Sequence, residues 1–216
     1  MKDISVKALA KINLGLDVVR KREDGYHEVR MVMQTIHLFD RLEISKNTSG
    51  EITMETNLSF LPTNENNLVY KAAKLLQDEF AIKDGVHVWL HKYIPVAAGM
   101  AGGSTDAAAV LYGMNQIFDL GLTREELMER GVKIGADVPY CIMRGTALAE
   151  GIGEKLSKLP PMVKCPVLIA KPQISVSTKF VYENLKLGSD MVHPDIDRLV
   201  ADIREKDLYK IAADMG

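Results

Sequence analysis

From Pro95 to Asp106 the chain reads Pro-Val-Ala-Ala-Gly-Met-Ala-Gly-Gly-Ser-Thr-Asp, a run of small residues between two periodic stretches. Upstream, Val86, Val88 and Leu90 alternate with polar or aromatic neighbours, which predicts a strand. Downstream, Ala107, Val110, Leu111, Met114 and Phe118 recur at helical spacing. Gly99, Gly102 and Gly103 allow positive φ and let a ligand come close to the backbone. Ser104 and Thr105 are expected at or just before the first helical turn, where unpaired N–H groups and the helix dipole favour an anion. The pattern points to a phosphate cradle. It is not a Walker A loop, because no Lys follows the glycines, and no GxGxxG occurs. A glycine-rich helix entry capped by Ser104, holding no ligand, fits the same composition.

The first half reads mainly as strands. Ile4, Val6 and Ala8 alternate with polar residues, as do Ile12, Leu14, Leu16 and Val18; Asp24-Gly25 marks a turn before Val29, Met31 and Met33. Leu42 with Ile44, and Ile52 with Met54, predict two further short strands joined through Asn47–Gly50. Leu68, Val69, Ala72, Ala73, Leu76 and Phe80 predict a helix that Asp84-Gly85 ends. On the strand at 86–91, His87, Trp89 and His91 share the face opposite the apolar one. His87 and His91 are too far apart along it to chelate one ion and read as surface residues. Thr123 with Glu126 is a capping box, so a helix starts near Arg124. Gly135–Pro139 is a turn. Pro160-Pro161 puts a soft boundary at 158–164, Val167–Ala170 reads as a buried strand, and Leu208, Ile211, Ala212 and Met215 form a last amphipathic helix. One strand and about three helices beyond that boundary make a thin layered domain.

Composition narrows the function classes. The 216 residues can bury roughly 70% of their unfolded surface without a staple. Lys plus Arg number 27 against 29 acidic residues, which leaves no polybasic footprint for nucleic acid. The two cysteines, Cys141 and Cys165, have no metal-ligand spacing and form no disulfide framework. Acidic residues are interleaved through the first 30 positions, unlike a targeting signal, and no apolar run approaches the ~20 residues that cross a bilayer. The expectation is a cytoplasmic protein with a small-molecule partner.

Three ordered motifs carry a family resemblance. Pro95 through Ala109 resembles the central motif of the GHMP kinases. Ala10-Lys11-Ile12-Asn13-Leu14 followed by Asp24-Gly25-Tyr26-His27, and Gly135-Ala136-Asp137-Val138-Pro139, resemble the branch of that family whose alcohol substrate carries a CDP group. The likeness continues weakly through Ser175-Val176-Ser177-Thr178 and Val181-Tyr182. It implies an α+β, two-domain architecture: a ribosomal protein S5 domain 2-like N-terminal domain over 1–160, with the ATP-binding loop, and an incomplete ferredoxin-like C-terminal domain over 161–216. The implied reaction is ATP-dependent phosphorylation of the 2-hydroxyl of a CDP-linked methylerythritol, in non-mevalonate isoprenoid precursor synthesis.

Site residues follow, each beside a plainer explanation. Lone lysines on strands usually face solvent, but the resemblance sets Lys11 beside a catalytic Asp. Asn13, two residues on, shares its strand face and suits a hydroxylated substrate. Asp137 after Gly-Ala is commonly a turn or N-cap residue; the resemblance makes it the general base. A nearby ammonium would keep that Asp ionised and stabilise the alkoxide. Phosphoryl transfer relies on positioning and charge neutralisation, so no nucleophilic Ser or Cys is required. ATP is implied at Pro95, Val96, Ala97, Ala98, Gly99, Met100, Ala101, Gly102, Gly103, Ser104 and Thr105. Mg2+ is expected with it, with Ser104 or Thr105 as the candidate hydroxyl. Tyr26 would stack on the cytosine, His27 would read its edge, and Tyr182 would close the other face of the stack. Val181-Tyr182 also fits helix packing, and Lys92 could approach the ATP or simply snorkel.

The chain departs from the family pattern at several positions. Leu9 replaces a Pro, Met100 a Leu, Ala101 a Gly and Thr105 a Ser, all compatible in shape. A third glycine-rich motif is expected near the C-terminus of such kinases; Gly188-Ser189 is the nearest candidate and lacks the rest, which predicts a fragment or a shortened chain. A kinase for another small alcohol has no use for the Tyr26-His27 pair. A non-catalytic nucleotide-binding remnant is the alternative of another class.

Overall fold

A computed structural model describes residues 3–172, 174, 177–185, 187 and 192–216. Ser175, Val176, Gly188 and Ser189 lie outside them. The elements run β1 (Asp3–Lys21), β2 (His27–Asn47), β3 (Ile52–Thr56), α1 (Leu68–Glu79), β4 (Gly85–His91), α2 (Gly102–Ile117), α3 (Arg124–Val132), α4 (Val138–Met143), β5 (Thr146–Glu150), β6 (Lys155–Lys158), α5 (Thr178–Asn184), α6 (Ile196–Glu205) and α7 (Leu208–Ala213). They form two compact units. One takes Met1–Ala10, Ile36–Val96 and Met100–Met143; the other takes Lys11–Thr35, Ala97–Gly99 and Arg144–Gly216.

In the first unit β4 lies between β2, antiparallel with Leu42 opposite Leu90, and β3, parallel with Met54 opposite Val88. Leu42, Ile44, Met54, Val86, Val88 and Leu90 are buried, as period-two alternation requires of one sheet face. On the other face the Trp89 and His91 rings stack at 4.0 Å, and His87 Nδ1 lies 2.9 Å from Thr53 Oγ1. Helix α1 starts at Asn67, whose side chain accepts from Val69 N, and buries Val69, Ala72, Ala73 and Leu76. Helix α2 packs against α1 and α4 and is apolar nearly all round, as a helix covered on several sides must be. Gly113 on α2 lets the helix close on β2: a Cβ there would stand 2.4 Å from Ile44 Cδ1. The predicted capping box of α3 is present, with Thr123 and Glu126 each bonding the other's backbone.

In the second unit β5 pairs antiparallel with β2 (Met33 opposite Ala147) and with β6 (Leu148 opposite Ser157). Leu14, Val32, Leu159, Ile196, Leu199, Ile203 and Ile211 form its core. Asp195 caps α6 by accepting from Arg198 N.

Two expectations change. Residues 27–47 form one strand rather than two separate ones. Residues 167–170 are not a buried strand: Leu168 is 97% exposed, and no described strand pairs with the segment. An apolar run becomes a strand only where a neighbour completes its hydrogen-bond ladder. No described helix is long and apolar enough to cross a membrane.

Candidate active site

The glycine-rich loop hangs between two buried anchors, Ile94 and Met100, with Pro95, Val96, Ala97 and Gly99 exposed and Ala98 half-buried. Its backbone is left-handed at Ala97, Gly99 and Ala101, with φ of 54°, 70° and 53°. Non-glycine residues in this region carry a cost, so two such alanines mark a loop held in a defined bend by its surroundings. Helix α2 begins at Gly102, two residues before Ser104. Its N-cap is Ala101, with no side-chain cap, and no acidic residue lies in the first turn. Ser104 is therefore a half-buried third helical residue, not the capping residue that the ligand-free explanation requires. Thr105 is buried inside the helix, and its N–H donates to Ala101 O at 2.8 Å. Among the described residues no side chain caps the N–H groups that open α2, the arrangement that receives anions at helix N-termini.

Beneath the loop stems lies a cluster that sequence reasoning missed. Lys92 does not snorkel: it is 7% exposed and pairs with Asp40 Oδ2 and with Asp106 Oδ2, the latter at 2.9 Å. Asp40 Oδ1 accepts from Tyr93 N at 2.5 Å and from Ile94 N at 2.8 Å. The Asn57 side chain holds the Lys92 backbone, accepting from its N–H at 2.8 Å and donating to its carbonyl at 3.1 Å. Burial alone would push the Lys92 ammonium down, but the two carboxyls outweigh it and the net shift is upward. Burial raises the Asp106 carboxyl to about 8, with Lys92 pulling it down and Asp40 pushing it up. Burial thus favours the protonated Asp106 carboxyl more than the Lys92 ammonium favours the ionised one.

In the other unit, Lys11 is 5% exposed, not solvent-facing as lone strand lysines usually are, and donates to Asn13 Oδ1 at 3.1 Å. The two predicted residues thus meet on one strand face. The His27 and Tyr182 rings stack with centroids 5.0 Å apart and planes inclined by 27°. Tyr26 precedes β2 at 61% exposure, on a turn where Asp24 Oδ1 accepts its N–H at 3.1 Å. Asp137, in the first unit, is half-buried and opens α4, its carbonyl accepting from Cys141 N at 3.0 Å. Among the described residues no group of three or more His, Cys, Asp or Glu could hold a metal ion. Mg2+ on nucleotide phosphates keeps several waters and needs only one or two protein oxygens; of the two candidate hydroxyls, Ser104 is half-buried and Thr105 is buried.

Comparison with known proteins gives concordant matches. Residues 67–145 match the GHMP kinases N terminal domain. The chain is 60% identical over 210 residues to the 4-diphosphocytidyl-2-C-methyl-D-erythritol kinase of Lachnoclostridium phytofermentans, covering 97% of this chain and 72% of the relative. It is 57% identical over 216 residues to the enzyme of the same name from Lachnospira eligens, covering 100% of this chain and 75% of that one. A crystal structure of 4-(cytidine 5'-diphospho)-2C-methyl-D-erythritol kinase superposes with a TM-score of 0.77 at 31% identity, over 94% of this chain and 72% of the other. Homoserine kinase from Cytophaga hutchinsonii shares the fold, with a TM-score of 0.73 at 18% identity, over 100% of this chain and 71% of the other.

Proposed function

Since the chain belongs to the 4-diphosphocytidyl-2-C-methyl-D-erythritol kinases, a branch of the GHMP kinases, we propose the following division of roles within its reaction. The chain is a phosphotransferase: it moves the terminal phosphoryl group of ATP to the 2-hydroxyl of the CDP-linked methylerythritol, in the non-mevalonate route to isoprenoid precursors. The observation that carries this is the 60% identity over nearly the whole chain.

Pro95 to Thr105 hold the ATP phosphates, supported by the left-handed loop and the N–H groups at the start of α2. Asp137 takes the proton of the attacking hydroxyl, and Lys11 stabilises the developing alkoxide while Asn13 orients the alcohol. Their support is the motif match, together with the Lys11–Asn13 hydrogen bond. His27, Tyr182 and Tyr26 bind the cytosine, which suits stacking on aromatic planes. Mg2+, when bound, would neutralise phosphate charge, with the Ser104 hydroxyl as its protein oxygen. Residues 1–160 would carry the nucleotide-binding work and 161–216 a partial C-terminal domain. A cytoplasmic location belongs to the same proposal.

Two assays test it. Supplied with ATP and, separately, with the CDP-linked alcohol, homoserine or mevalonate, the enzyme forms product from the first alone; product only from the others refutes the substrate assignment. Asp137→Asn abolishes turnover while nucleotide affinity stays within about tenfold (1.4 kcal/mol). An unchanged kcat removes Asp137 from its role.

A further inference from the structure

The Lys92 cluster buries three ionisable groups, and buried ion pairs are often no more stabilising than apolar side chains of similar volume, so its presence asks for another explanation than stability. Its geometry supplies one. Asp40 belongs to β2; Lys92, Tyr93 and Ile94 form the stem entering the glycine-rich loop; Asp106 stands on α2, in the stem leaving it. Asp40 divides its oxygens, Oδ1 fixing the N–H groups of Tyr93 and Ile94 and Oδ2 taking the Lys92 ammonium. That ammonium reaches across to Asp106. It also lies against the first turn of α2: a Cβ on Gly102 would stand 3.0 Å from Lys92 Nζ and 3.2 Å from Ile94 Cγ2. An ammonium at a helix N-terminus is unfavourable by itself, and the Asp40 and Asp106 side chains that bond it offset this.

We propose that Lys92, clamped by Asp40 and Asp106, is a positioning residue that fixes the spacing between the two stems of the glycine-rich loop, so that the start of α2 meets the nucleotide phosphates in register. This rests on the reading above that the loop holds ATP. Gly102 then has a second purpose besides close approach to phosphate: it leaves room for the ammonium.

The test uses Asp40→Asn, which keeps an acceptor for the two backbone N–H groups but weakens the hold on Lys92, and Gly102→Ala, which keeps every charge and crowds the ammonium. Amide hydrogen exchange without nucleotide is read over 93–106 and over α3, and KM is measured for both substrates. The expected result is faster exchange in the loop stems alone, with KM for ATP raised at least about tenfold and KM for the CDP-linked alcohol within about twofold. Unchanged exchange and unchanged KM for ATP in folded variants overturn the proposal. So does an equal rise in both KM values with exchange accelerated throughout, the signature of general loosening. Should Asp40→Asn not fold, Asp106→Asn, which loosens the same ammonium from the stem leaving the loop, takes its place. A wild-type enzyme that binds no ATP analogue by calorimetry overturns the nucleotide reading first, and this proposal with it.

Discussion

Asp106→Asn changes one buried group without changing its shape, and its effect on stability has a sign that can be worked out. The Asp106 carboxyl is raised from 3.8 to about 8, chiefly by burial. Between those values the native protein holds a proton that the unfolded chain has released. The contribution of Asp106 to stability is therefore fully present below about pH 4 and is lost as pH rises towards about 8. One proton of difference corresponds to a slope of about 1.4 kcal/mol per pH unit, reached in the middle of that range. Asn does not titrate. Urea unfolding of wild type and Asp106→Asn, followed by circular dichroism between about pH 5 and about pH 9, reads the cluster, because titrations away from it cancel in the difference. The wild type should lose stability relative to the variant along that slope and level off above about pH 8. A difference that stays constant across the range would mean that Asp106 is ionised throughout in the folded protein, and that burial does not govern its protonation.

Leu199 is fully buried in the core of the second unit, so Leu199→Ala should cost about 2–5 kcal/mol in urea unfolding, the usual price of a cavity at such a site. Tyr182→Ala should raise KM for the CDP-linked alcohol by about fivefold to about 150-fold, as loss of ~1–3 kcal/mol of base stacking implies, and leave KM for ATP unchanged. An equal change in both KM values would show that Tyr182 only packs against His27.

Much of the fold was legible because burial imposes a period. Leu42, Ile44, Val88 and Leu90 point inward where alternation required, and Thr123 and Glu126 form the capping box where their side chains can reach orphan N–H groups. The glycine-rich loop was legible for its composition, but α2 opening at Gly102 was not, since an alanine N-cap in a left-handed conformation leaves no side-chain signature. The four apolar residues from Val167 to Ala170 carry no period, so nothing local distinguished a paired strand from an exposed segment. Asp40, Lys92 and Asp106 stayed hidden for a different reason. Each looks like an ordinary surface charge, and only the approach of β2 to residues 92–106 brings them together. Two signals were present in hindsight: Lys92 directly follows a strand, and Asp106 lies within an otherwise small and apolar helix start.

Strands β1 and β2 each begin in one unit and end in the other, and each unit is assembled from three separate stretches of chain. A single recombination point therefore cannot transplant either unit into another protein, and a single cleavage cannot release one whole. Residue changes that suit one half must coexist, on the same two ribbons of backbone, with whatever the other half demands. The two are bound to evolve as a pair.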